Sequence, residues 1–155
     1  MVAFWIVLGF LVGSLVEWTA HKYFLHNRRF SAAFKSHFSV HHRNSRKNNG
    51  HDAMYFDFPP NSWEEGASEI VYLLVIWLVS LPSYFISPWL CLTLTFHAAA
   101  YYFLHRKFHL RPTWGRRWMP WHWDHHMGPD QNCNWGVTSP IFDILLGTRR
   151  SSKDL

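Results

Sequence analysis

The sequence predicts an all-α integral membrane protein: one N-terminal transmembrane helix, a transmembrane helical hairpin, and a histidine-rich helical cap on the cytoplasmic face. Three observations predict it. Residues 1–15 are an apolar run broken only by Gly and Ser, and residues 70–104 hold no charged side chain over 35 positions. Ten of the twelve histidines fall into four short clusters outside those runs. All 15 Lys and Arg residues lie in segments 21–69 and 105–155.

The first helix runs from residue 1 to about Thr19. It lacks a basic leader and a small-residue cleavage site and passes straight into Glu17 and His21, which predicts a retained anchor and not a signal peptide. The uncharged stretch 70–104 is too long for one span and about right for two. Pro82 and Ser87-Pro88 supply the turn, because proline suits a first helical turn. Ser62-Trp63-Glu64-Glu65 has the form of a capping box that starts the second long helix. Each arm holds about 17 apolar residues, roughly 25 Å of helix, so the arms extend past the apolar layer at their histidine ends. A hairpin returns the chain to the side it left, so both basic segments share one face, and the positive-inside rule makes that face cytoplasmic. Aromatics at 19% and charged residues at 16% agree with a single membrane domain spanning 1–155. Trp114, Trp118, Trp121 and Trp123 are expected to mark the membrane interface. Residues 141–146, opened by Ser139-Pro140 and ended by Gly147, are expected to form a short helix at that interface or over the cap. The basic stretch Arg43–Lys47 is read as a headgroup-facing surface; no nucleic-acid module surrounds it.

The histidine spacing carries the chemistry. Helical residues three or four apart share a face. His105 with His109, His122 with His125 and His126, and His37 with His41 and the adjoining His42 fit that rule. His21 and His26 are five apart and need a helix end or local unwinding to converge. Ten imidazoles exceed what one ion accepts, which implies two metals. A structural zinc site usually contains cysteine, whereas Cys91 sits in an apolar run, Cys133 stands alone, and no C-x-x-C occurs. His51, in a polar loop, and His97, in the third span, stay outside the ligand set. His97 is expected to be a hydrogen-bonded core residue or to line the substrate path.

The four boxes, His21-x4-His26, His37-x3-His41-His42, His105-x3-His109 and His122-x2-His125-His126, resemble those of the fatty acid hydroxylase superfamily, which includes sterol desaturases, fatty acid 2-hydroxylases and carotene hydroxylases. The tail from Asn134-Trp-Gly-Val-Thr-Ser-Pro-Ile-Phe-Asp143 to Gly147-Thr148 and the string Phe58-Pro59-Pro60 are similar to further landmarks of that family. The resemblance covers nearly the whole chain and departs from it at the second box, where two residues before His-His are more usual than three. It implies a membrane-bound enzyme with two Fe ions that uses O2 to attack an unactivated C–H bond of a fatty acyl, sterol or isoprenoid lipid, with Zn able to replace Fe in recombinant samples. No cytochrome b5-like region precedes the anchor, so electrons are expected from a separate cytochrome b5-like or ferredoxin-like protein. Hydroxylation is favoured over desaturation on the same scaffold, in a bacterial inner membrane or the endoplasmic reticulum.

Asp124, between ligand histidines, Glu17, one turn before His21, and Asn134 are expected to accept imidazole N–H groups, with Asn132 a weaker candidate. Two other classes remain open. A zinc-dependent membrane hydrolase needs about three protein ligands and a catalytic Glu. A metal-binding or transport protein would place its histidines within the spans.

Overall fold

The computed structural model describes residues 1–58 and 66–151, which contain helices and turns and no strand. Pro59, Pro60 and the capping-box segment 62–65 lie outside the described residues. The first helix, α1 (Val2–Ala20), follows from an apolar sequence without Pro or charge before Glu17. Gly9 and Gly13, four apart, put a side-chain-free stripe on one face. A Cβ on Gly9 would lie 2.7 Å from Thr93 Cβ, and one on Gly13 would lie 2.6 Å from His97 Cγ. The two glycines thus let α1 lie close along α5 (Pro88–Leu110), the small-residue packing that substitutes for a hydrophobic driving force in lipid.

Between them in sequence, α4 (Ser68–Ser80) runs away from the cap, and a 3₁₀ turn over Leu81–Phe85 returns the chain to Pro88, the first residue of α5. Among the described residues, two stretches are long and apolar enough to cross a membrane, Val2–Leu25 and Ser68–Phe85. Only 6% of the apolar window in the second is buried, the reverse of a soluble core helix, so most of its surface has no protein cover. Helix α5 packs against both. Its Leu92, Phe96 and Phe103 are exposed, but His97 interrupts it and its last turns carry His105, Arg106, Lys107 and His109. Those residues make it the least apolar of the three long helices.

Both α1 and α5 deliver their C-terminal ends to the cap. The cap consists of α2 (Ser31–Phe34), α3 (Arg43–Lys47), α6 (Pro112–Trp118), α7 (Pro120–Met127) and α8 (Ile141–Leu145). Proline occupies the first position of α5, α6 and α7, where its missing N–H costs nothing. The apolar core under the cap is Tyr101, Phe108, Met119 and Val137. Trp114, Trp121 and Trp123, all half-buried, pack against that core, and Trp121 donates to the Val137 carbonyl at 3.0 Å. Trp118 alone of the four is exposed. Arg46 likewise does more than face solvent: its guanidinium donates to the carbonyls of His126 and Gly128 at 2.8 and 2.9 Å, tying α3 to the end of α7. Helix α8 rests on α1 and turns Ile144, Leu145 and Leu146 outward.

Candidate metal centre

The first two boxes solve the spacing problem through π-helical turns. After α1 the chain widens into a π turn over His21–Leu25, where His26 N–H donates to His21 O at 3.1 Å. A second π segment covers Lys35–His42. Residues five apart diverge by about 140° on an α-helix of 3.6 residues per turn, but stack on one side of an i→i+5 helix. His21 therefore lies over His26, and His37 over His42. His41, one position earlier than His42, turns to the other side.

The outcome is two groups of imidazoles. His21, His26, His37, His42 and His125 form one, and His41, His105, His109 and His126 the other; within each group the ligand atoms lie within 4.8 Å of one another. In the first, His37 Nε2 is 2.9 Å from His21 Nε2, and His42 Nε2 is 3.2 Å from His125 Nε2. In the second, His105 and His109 bring their Nε2 atoms to 3.2 Å. The groups adjoin, because the His42 and His126 rings stack at 4.2 Å. His122 stands at the edge of the second group, fully buried, its ring 4.6 Å from that of His126, with neither nitrogen hydrogen-bonded.

The outer nitrogens fix the tautomers. His21, His125 and His109 donate Nδ1–H to the carbonyls of Trp135, Cys133 and Gly50 at 2.6, 2.7 and 2.9 Å. His41 donates to Asp52 at 2.8 Å and His105 to Glu69 at 2.6 Å. A neutral imidazole that spends its proton on Nδ1 keeps a bare lone pair on Nε2. Several such lone pairs aimed at one another in a dry interior repel unless a cation lies between them, so the donor set fits two metal ions. Burial, and then the charges of neighbouring histidines, pushes His26 down to about 2; burial likewise pushes His125 down to about 3, and His37, His42, His122 and His126 also fall well below the usual imidazole value. All stay neutral and able to ligate. Cys133 is pushed up to about 11 by burial and then by Asp130, which keeps it a thiol.

Asp52 and Glu69 hold the positions expected of Asp124, Glu17 and Asn134. Asp124 instead pairs with Arg149 at 3.2 Å. Glu17 accepts the Val137 and Thr138 N–H groups and the Thr138 hydroxyl. Asn134 adopts a left-handed backbone conformation (φ 57°) and hydrogen-bonds to Arg149 and Arg150 rather than to a clustered imidazole. Asn132 is exposed. The three buried residues act one step further out: they and Asp143, which accepts the N–H groups of Trp135 and Gly136 at 2.8 Å, hold the 133–138 loop whose carbonyls orient His21 and His125. Gly50 has φ 89°, and a Cβ there would meet Trp123 at 2.7 Å; only glycine can present that carbonyl to His109. Tyr55 was also missed. It is buried, donates to Glu69 at 2.7 Å and stacks on His109.

A cavity of about 550 Å³ opens between α1 and α4, over α5. Val12, Val16, Leu73, Ile76, Val79 and Leu94 make most of its wall apolar, and its inner end is formed by His21, His37 and His41. From Ser80 to Glu69, both on the wall, is about 16 Å along α4.

No curated protein and no solved structure matches the chain. The family profile described as fatty acid hydroxylase matches residues 6–148, which takes in both π turns, all ten clustered histidines and the loop that orients them. The chain therefore belongs to the fatty acid hydroxylase family, a membrane-associated family of oxidoreductases.

Proposed function

We propose that this protein is a di-iron lipid hydroxylase of three transmembrane helices that takes two electrons from a separate carrier protein. The observation that carries the reading is where the cavity ends: His21 and His37 belong to one imidazole group and His41 to the other, so an apolar chain entering between α1 and α4 meets both. The balanced reaction is C–H plus O2, two electrons and two protons, giving C–OH and water. Iron suits the imidazole-rich donor set and would supply the O2 activation and hydrogen abstraction; zinc suits the same set but is redox-inert.

The side chains do the rest. His21, His26, His37, His42 and His125 would hold one ion, and His41, His105, His109 and His126 would hold the other, with His122 at the edge of that group as an additional donor. Asp52 and Glu69 lock the tautomers of His41 and His105 and increase their basicity. The apolar wall excludes water from the reacting carbon and aligns the chain. Helix α5 completes the membrane bundle with α1 and α4, and the basic cap lies on the cytoplasmic side.

Elemental analysis of fully loaded, folded protein tests the metal assignment. Two metal ions per chain are expected, and His42→Ala and His126→Ala should each lower metal content and abolish turnover, whereas His51→Ala should do neither. At most one ion per chain in the wild type overturns the assignment.

A further inference from the structure

The C-terminal part of α5 carries two hydrogen-bond donors that no described residue satisfies. Tyr102 and Arg106 are four residues apart and so share one side of the helix. Tyr102 is 6% exposed, and neither its hydroxyl nor the Arg106 Nε–H has a hydrogen-bond partner, although both atoms are sealed from solvent. A second guanidinium nitrogen of Arg106 donates to the Phe56 carbonyl at 3.1 Å, which holds the group in place with Nε unspent. No ion pair among the described residues involves Arg106, and the Glu69 carboxylate is taken by Tyr55 and His105. Buried donors without an acceptor are costly, most of all on a cation, so the pair is a place for an oxyanion.

The surroundings point to the kind of oxyanion. Arg106 stands two residues beyond Leu104, where the uncharged run of the sequence ends, which is headgroup depth for a helix that spans a bilayer. Leading to it along α5 are Leu92, Phe96, Ala99 and Phe103, at intervals of four, three and four, all exposed. At 3.6 residues per turn this stripe points about 180° away from Leu94, His97 and Tyr101, which line the cavity. A lipid on the stripe is therefore separate from the chain to be oxidised. We propose that α5 carries a site for an anionic phospholipid, whose phosphate accepts from Tyr102 Oη and Arg106 Nε and one of whose acyl chains lies along the stripe. Arginine suits a phosphate because its planar fork engages two oxygens at once. Phe58, an exposed side chain whose ring lies 5.9 Å from that of Tyr102, swings aside to admit the headgroup. The site uses the membrane-spanning reading of α5, which accessibility labelling of the α4–α5 turn tests separately, and it depends neither on the metals nor on turnover.

The experiment is native mass spectrometry of the full, zinc-loaded chain in detergent after incubation with dioleoyl phosphatidylglycerol, with dioleoylglycerol, which has the same chains and no phosphate, or with inorganic phosphate. The wild type should retain one phosphatidylglycerol per chain about tenfold more than dioleoylglycerol, as expected for charge-assisted hydrogen bonds, and inorganic phosphate should not displace it. Arg106→Gln should lower phosphatidylglycerol retention about tenfold, to the level of dioleoylglycerol, and Tyr102→Phe about threefold, for the loss of one hydrogen bond. Arg29→Gln, which removes an exposed charge from the polar segment before α2, should leave it unchanged. Equal retention of the two lipids by the wild type, or undiminished retention in Arg106→Gln, overturns the proposal. So does an equal loss in Arg29→Gln, which would mean attraction by overall basic charge, and so does displacement by inorganic phosphate, which would make this a site for the free ion. The wild-type comparison decides the matter even where a variant fails to fold. Because zinc supports no turnover, failure of the iron-loaded protein to oxidise lipid would count against the proposed function and leave this retention standing.

Discussion

Asp52 and Glu69 give the two imidazole groups different characters. The second group has two carboxylates behind its imidazoles, at 2.8 Å from His41 and 2.6 Å from His105, whereas the first leans on the backbone carbonyls of Trp135 and Cys133. A carboxylate partner raises imidazole basicity and stabilises positive charge at the ion more than a carbonyl does. Asp52→Asn should therefore weaken metal retention at the second group by about 10- to 100-fold, read as metal content after dialysis against a graded chelator, and leave one ion bound at the first group. Loss of both ions together would show that Asp52 supports the fold of the whole cap. These two acids carried no local signal in the sequence. Asp52 lies eleven residues from His41, and Glu69 meets His105 across two helices, so neither follows the i+3 or i+4 rule that exposed the histidine clusters. Asp124 had that spacing and proved to serve Arg149.

At the scale of elements, the π turns distribute the histidines. The convergence of the clustered histidines was legible because four of their intervals are helical, and the need for unwinding between His21 and His26 followed from their spacing of five. The division into two groups was not legible, since an α-helix and a π-helix send His41 and His42 to different sides and local sequence does not distinguish the two forms. A deletion tests the role of the second π turn. Ser39 is exposed within it, and its removal sets His37 four residues from His42. The segment should then close as an α-helix that still presents His37 and His42 to one ion, and both metals should be retained. Loss of the ion at the first group in this variant, by elemental analysis, would mean that the π geometry itself is required. The core packing of the tryptophans was not legible at the same scale. Composition alone does not show that Trp114, Trp121 and Trp123 pack against the core of Tyr101, Phe108, Met119 and Val137.

For the molecule as a whole, the apolar runs fixed where the long helices lie, and the structure places α1, α4 and α5 within a few residues of those runs. What composition could not supply was the cleft between α1 and α4, which depends on both packing against α5 while remaining apart from each other. The proposed crossing of the membrane makes a direct prediction. With Cys introduced at Asn48, Phe85 or Arg150, all exposed, an impermeant thiol reagent should reach Asn48→Cys and Arg150→Cys from the cytoplasmic side and Phe85→Cys from the opposite side. Labelling of Asn48→Cys and Arg150→Cys from different sides would scatter the ligands across the bilayer and break the hairpin. The central claim is that the two imidazole groups and the apolar cavity together oxidise a lipid with O2. The measurement that bears on it most directly is mass spectrometry of lipid products after turnover of iron-loaded protein with an electron donor under 18O2. The account predicts one 18O atom inserted at a former C–H bond. A new double bond without label would contradict hydroxylation, and label drawn only from 18O-water, with solvent exchange excluded, would contradict O2 chemistry at this centre altogether.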